Sequence, residues 1–130
     1  MNFIVIFTVI ASDQILKWII RKYDWFYVIN PGSAFSFGSQ WPWFEWVVWG
    51  TFLALIWYFY SRKMPRHVPM AWALLISGGA SNLIDRIFFS GVIDYIKIWQ
   101  FPIFNLADVL ITLGVVLIIV PWFKTTALRQ

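Results

Sequence analysis

Four stretches of about twenty mostly apolar residues dominate this 130-residue chain, at 2–20, 41–60, 68–86 and 104–123. A helix rising 1.5 Å per residue needs roughly 20 such residues to cross a hydrocarbon layer about 30 Å thick. Hydrophobic residues make up 61% of the sequence and charged ones 12%. A soluble domain carries roughly 45–50% and roughly 25%. A buried core in so short a chain cannot hide that apolar excess, so a bilayer must supply much of the solvent. The expected fold is an all-α membrane protein with minor β content. Its four transmembrane helices form a single domain over residues 1–130, since no repeat or low-complexity linker divides the chain.

Composition also narrows the chemistry. There is no cysteine, and His67 is the single histidine. Disulfides, iron–sulfur ligation and the usual zinc ligand sets are thereby excluded, and no metal is expected. The net charge of +4 does not point to nucleic acid, because the basic residues lie at the edges of the apolar stretches. Arg62, Lys63 and Arg66 separate the second stretch from the third, and Lys124 and Arg129 follow the fourth. The six acidic residues all lie elsewhere. The positive-inside rule then puts the 61–67 loop and both termini in the cytoplasm, and segments 21–40 and 87–103 on the far side. The first stretch lacks a basic leader and a small-residue cleavage site, and is expected to be retained as a helix. Trp25, Trp41, Trp43, Trp46, Trp49, Trp99 and Trp122 cluster near the helix ends, as an interfacial aromatic belt would.

The far-side segments carry structure of their own. Residues 27–30 and 34–37 are strand-like runs around the turn signal Pro31-Gly32. Residues 92–99 suit either a strand of a small surface sheet or an amphipathic surface helix.

Charged groups inside apolar stretches cost roughly 2.5–3.5 kcal/mol each on insertion scales, so each calls for a partner or a function. Asp13 and Lys17 stand four apart with the acid N-terminal, the favourable order for a structural ion pair. Asn30 and Gly32 belong to a turn, in which Asn30 offers both an acceptor and donors to a ligand. Gly78-Gly79 in the third stretch permits close helix packing. Asn82, Asp85 and Arg86 share the next helix face, where Arg86 is expected to compensate Asp85 in a polar clamp.

Asp94 lies on the far-side segment, and Asp108 near the start of the fourth stretch with Asn105 on the same face. On spacing alone, Asp108 reads equally as a helix-start acid favoured by the dipole, and Asp94 as a solvated loop acid. Brought together they would behave differently. Two close carboxylates cannot both ionise easily, so the pair holds one proton and can act as base and acid together. That combination suits hydrolysis of an amide by activated water. Two other classes compete: a small carrier using Asp13 as its intramembrane acid, and a non-catalytic scaffold in which Asp94 and Asp108 are expendable.

The ordered blocks decide among these. Asp13-x3-Lys17, Asn30-x-Gly32-x-Ala34-Phe35-Ser36, Gly78-Gly79 with Asn82-x2-Asp85-Arg86, Gly91-Val92-Ile93-Asp94, and Phe104-Asn105-x-Ala107-Asp108 resemble signal peptidase II, the lipoprotein signal peptidases. The match runs from about residue 13 to 114. The resemblance implies an aspartyl endopeptidase of the bacterial inner membrane. Its substrate is a prolipoprotein already carrying diacylglycerol on its lipobox cysteine, cut on the N-terminal side of that cysteine. It implies Asp94 and Asp108 as the catalytic pair. Asn30, Gly32, Asn82, Asp85, Arg86 and Asn105 are then substrate-binding or supporting residues, and Asp13 with Lys17 a stabilising pair. Four transmembrane helices, an extracytoplasmic β-cradle and a surface loop or helix complete the implied fold, with no cofactor, and nothing in the sequence demands more than a monomer among membrane lipids. Ser81 departs from the pattern, standing where the resemblance leads to glycine, and Pro31 stiffens the turn after Asn30.

Overall fold

The computed structural model describes residues 3–32, 38, 40, 41, 43–61 and 68–127. The elements run α1 (Phe3–Lys22), β1 (Val28–Asn30), α2 (Phe44–Ser61), α3 (Val68–Phe89), β2 (Val92–Asp94) and α4 (Leu106–Ala127). The helices match the four apolar stretches to within a few residues. The fourth begins late because Phe104 pairs with Ile96 as an antiparallel bridge instead of joining the helix. By length and composition α1 can cross a membrane, whereas the apolar parts of α2 and α4, Trp46–Tyr58 and Leu106–Val120, are shorter.

α3 is the hub, packing most extensively on α4, then on α1, and less on α2. The small residues read from the sequence explain how it can. A Cβ added at Gly78 would stand 2.6 Å from the carbonyl oxygen of Ala107, and one at Gly79 would stand 2.6 Å from the ring of Phe52. The glycine pair therefore serves two neighbours, α4 on one side and α2 on the other. The apolar core is small: Trp72 and Leu75 pack with Leu55, Val115 and Ile118. Many large apolar side chains are exposed instead, among them Phe3, Phe7, Leu53, Trp57 and Val116. The buried interior holds Asp13, Lys17, Ser77, Ser81, Asn82, Asp85, Asp94 and Asn105. A polar inside with an apolar outside is the inverse of a soluble fold.

β1 pairs antiparallel with β2, in the register Val28↔Asp94, Ile29↔Ile93 and Asn30↔Val92. Of the two readings of 92–99, the strand is the one that forms, over Val92–Asp94, and the surface helix does not. Val92 and Ile93, β-branched and buried, spend their backbone on the sheet, and the chain continues into the Ile96–Phe104 bridge. The expected run 34–37 lies outside the described residues, as do Arg62, Lys63, Arg66, His67 and Arg129 and the side chain of Lys124.

Candidate functional site

The first turn of α4 organises the site. A helix start leaves backbone N–H groups without partners, and here each finds one. Leu106 N–H donates to the Tyr95 hydroxyl oxygen (3.1 Å) and Ala107 N–H to Asp13 Oδ1 (3.1 Å). Asp108 N–H donates to Asn105 Oδ1 (2.9 Å), and Asn105 N–H in return donates to Asp108 Oδ2 (3.1 Å). The last two form a reciprocal capping box with aspartate in the third position.

Asn105 has its amide nitrogen left over, and this reaches across to β2. Its Nδ2 donates to Asp94 Oδ1 at 2.7 Å and to Asn82 Oδ1 at 3.2 Å. Asn82 then donates from Nδ2 to Asp108 Oδ1 at 2.8 Å. Each asparagine thus touches one carboxylate with its amide nitrogen, and the two amides are linked. Asn30 completes the set: its Nδ2 donates to Asp94 Oδ2 (3.0 Å), while its Oδ1 accepts the Gly32 N–H (3.0 Å) in an Asx turn. The turn occupies the amide oxygen and so aims the nitrogen at Asp94.

Asp94 is 2% exposed. Burial pushes its carboxyl up from 3.8 to about 6; the Asn30 hydrogen bond opposes this, the charge of Asp108 adds to it, and Asn105 and Lys17 oppose it. Burial likewise pushes the Tyr95 phenol up to about 12, keeping it neutral as a hydrogen-bond partner for α4. Asp94 and Asp108 both line a cavity of about 730 Å³. Asn30, Gly32, Asn82 and Arg86 share its polar end, and Val109, Leu113 and Val116 of α4 continue it as an apolar wall.

Behind the cavity lies a second polar layer. Lys17 Nζ sits 2.7 Å from Asp13 Oδ2 and 2.6 Å from Asp85 Oδ2, and donates to Asn82 Oδ1 at 3.2 Å. The i, i+4 pair expected on the first helix is present, but the cation facing Asp85 is Lys17, which corrects the expectation that Arg86 compensates it. Helix packing explains the exchange, since α1 lays Lys17 across the Asn82–Asp85 face of α3. Arg86 instead donates to the Gly32 carbonyl (2.9 Å) and the Asn82 carbonyl (3.3 Å), fastening the β1 turn to α3. Asp85 Oδ2 also accepts the Ile93 N–H (3.2 Å), fastening β2 to the same helix. Every singled-out residue therefore belongs to one connected assembly, in which Asp13, Lys17 and Asp85 lie behind the cavity and the others at its polar end or beside it.

Three residues of this assembly escaped the sequence reading as site members. Gln14 donates to the Ser81 carbonyl and hydroxyl and to Asp85 Oδ1. A carboxamide in an apolar helix beside Asp13 was the available signal. Ser81 donates to Asp13 Oδ2 at 2.6 Å, so the hydroxyl that departs from the expected glycine is used to hold α1. Tyr95 had no signal beyond adjacency to Asp94.

The family described as Signal peptidase (SPase) II matches residues 5–124. Among individual proteins, the lipoprotein signal peptidase of Polynucleobacter necessarius subsp. necessarius is 31% identical, over 85% of this chain and 82% of its own length. That of Acinetobacter baumannii is 32% identical, over 88% of this chain and 78% of its own. Two solved structures, each described as a bacterial membrane enzyme, superpose with TM-scores of 0.85 and 0.72 at 27% and 26% identity. They cover 98% and 94% of this chain, and 90% and 92% of theirs.

Proposed function

Because the chain belongs to the signal peptidase II family, membrane proteases that process lipoproteins, we propose that it hydrolyses its substrate with Asp94 and Asp108. The substrate is a prolipoprotein carrying diacylglycerol on its lipobox cysteine, cut on the N-terminal side of that cysteine. The observation carrying this reading is that both carboxylates line one cavity and are joined through Asn105.

The two aspartates differ in surroundings, and that difference supports a division of work between them. Asp108 accepts the Asn105 N–H on one oxygen and Asn82 Nδ2 on the other, and lines the cavity from the start of α4. Asp94 is buried and its carboxyl is pushed up to about 6, which suits it to the role of proton donor. Asp108 takes a proton from water as the water oxygen attacks the scissile carbonyl, and Asp94 gives its proton to the carbonyl oxygen. On collapse of the tetrahedral intermediate, Asp108 returns its proton to the leaving nitrogen and Asp94 recovers one from the hydroxyl. The amide bond breaks, water is consumed, and the pair is restored.

All four helices span the bacterial inner membrane in this reading, both termini are cytoplasmic, and one domain acts as a monomer. The outward apolar side chains and the cations of the 61–67 loop support that arrangement. The apolar α4 wall gives acyl chains a way to remain in lipid while the peptide reaches the dyad. The test is Asp94→Asn and Asp108→Asn, made separately and assayed on a diacylglyceryl prolipoprotein in membranes. Each is expected to slow cleavage by about 10²–10⁴-fold while remaining folded. A folded variant of either kind that cleaves at the normal rate overturns the mechanism.

A further inference from the structure

The connection between β2 and α4 has a tip that the hydrolysis leaves unused. Ile96 N–H donates to the Phe104 carbonyl at 2.7 Å and Phe104 N–H to the Ile96 carbonyl at 3.1 Å, which closes residues 97–103 into a loop. Ile98, Trp99 and Phe101 are exposed at its tip, Trp99 to 86%. Trp99 has a φ of 44°, in the left-handed region that a bulky side chain rarely adopts. The turn closed by the Phe101 N–H on the Ile98 carbonyl (2.8 Å) holds it there, so the outward indole is an imposed position.

The loop has a fixed level relative to the membrane. Lys97 Nζ lies 5.6 Å from the ring centroid of Phe26, beside exposed Trp25 and Tyr23, which follow directly on Lys22 at the end of α1. α1 is long and apolar enough to cross a bilayer, so the residues leaving its end stand at the headgroup layer. Aromatic rings with flanking lysines suit that layer, where rings sit among the headgroups and ammonium groups meet phosphate. Continuity with this helix end selects a lipid surface as the occupant of the exposed tip. The same loop also shapes the cleft. Phe101, Pro102 and Phe104 line the cavity of Asp94 and Asp108, and with Ile98, Trp99 and Gln100 they line an adjoining open apolar hollow of about 580 Å³.

We infer that loop 97–103 is a lipid-seated wall of the cleft: Ile98 and Trp99 enter the headgroup layer of the outer leaflet, and the bilayer thereby holds Phe101, Pro102 and Phe104 in place beside the dyad. This rests on the peptidase reading with a far-side site.

The chain has no cysteine, so Trp99→Cys accepts a single nitroxide. In vesicles of phosphatidylethanolamine and phosphatidylglycerol, oxygen is expected to relax this label more than a water-soluble nickel chelate does. The opposite order overturns the seating. Trp99→Asp is expected to slow cleavage of a diacylglyceryl peptide in the same vesicles by about 10-fold to 100-fold without lowering the melting temperature, a cost typical of a displaced site. Trp99→Phe is expected to restore the rate. A lipid-exposed label with an unchanged Trp99→Asp rate overturns the link to the cleft. If the unaltered protein cleaves nothing, the peptidase reading fails, and the label alone decides the seating.

Discussion

Asn105 and Asp108 cap α4 reciprocally, at 3.1 Å from the Asn105 N–H and 2.9 Å from the Asp108 N–H. A candidate catalytic carboxylate is therefore also a helix cap, and the residue that caps with it holds the other carboxylate at 2.7 Å. Stability and activity can be separated at this position. Asn105→Ser keeps an oxygen for the Asp108 N–H but loses the donor to Asp94. It is expected to lower the rate about 10-fold to 1,000-fold, as loss of one aligned donor does, with little change in melting temperature. Asn105→Ala loses both and is expected to cost a further ~1 kcal/mol of stability. Thermal unfolding and single-turnover cleavage of the two variants check the split.

Asp94 makes a signed pH prediction. Its carboxyl is raised from 3.8 to about 6 in the fold, so between those values the folded state binds more protons than the unfolded one. The contribution of this group to stability is present below about 4 and is lost as pH rises through about 6. The rate with free enzyme, kcat/KM, is expected to fall as pH rises through about 6, when Asp94 loses the proton it donates. Asn30 favours the charged form through its hydrogen bond, so Asn30→Ala is expected to move that limb to higher pH. A limb that moves down or stays in place excludes Asp94 as its origin.

How far such relationships can be read from residues depends on their range. Asn105 and Asp108 are three apart, and their capping geometry is local, as is the Asp13–Lys17 spacing. The asparagines around the two aspartates stood out as polar groups, but nothing in local spacing says that Asn30 will face Asp94 from a neighbouring strand. Partner choice across elements is harder still. Lys17 meets Asp85 because α1 crosses α3 at that turn, and Arg86 is thereby released to the Gly32 carbonyl. Residues 92–99 carried a pattern compatible with strand or helix, and pairing with the distant β1, which sets Val28 opposite Asp94, decided it. Ser81 looked like a departure at one position, whereas its hydroxyl is an anchor for Asp13.

Lys17 is expected to be among the least replaceable residues. It stands between Asp13 and Asp85, all three at most 1% exposed. Lys17→Met leaves two buried carboxylates facing each other, and removing one partner of a buried ionic cluster costs about 3–5 kcal/mol. The variant is expected to unfold at markedly lower temperature or to fail to accumulate in membranes. Adding Asp13→Asn removes one of the unpaired charges and is expected to recover part of the loss. Thermal unfolding in detergent measures both, and a Lys17→Met variant as stable as the unaltered protein refutes the proposed electrostatic load.

The α3–α4 contact makes the last prediction, and its sign opposes helix propensity. Glycine to alanine inside a helix ordinarily gains roughly 1 kcal/mol. At Gly50 nothing lies within 4 Å of an added Cβ, and Gly50→Ala is expected to be neutral or stabilising. At Gly78 the added carbon would stand 2.6 Å from the Ala107 carbonyl oxygen, and at Gly114 2.6 Å from the Ala71 carbonyl oxygen. Backbone oxygens cannot rotate away as a side chain can, so α3 and α4 must move apart. Ala107 immediately precedes Asp108, and its N–H is held by Asp13; displacement at Gly78 therefore moves the dyad, whereas displacement at Gly114 acts nearly two helical turns further along α4. Both variants are expected to be destabilised, and Gly78→Ala is expected to lose activity more steeply than Gly114→Ala at equal loss of stability. Melting temperatures and cleavage rates for the three alanine variants test this ordering, and equal activity losses at 78 and 114 would sink the proposed coupling between helix spacing and the dyad.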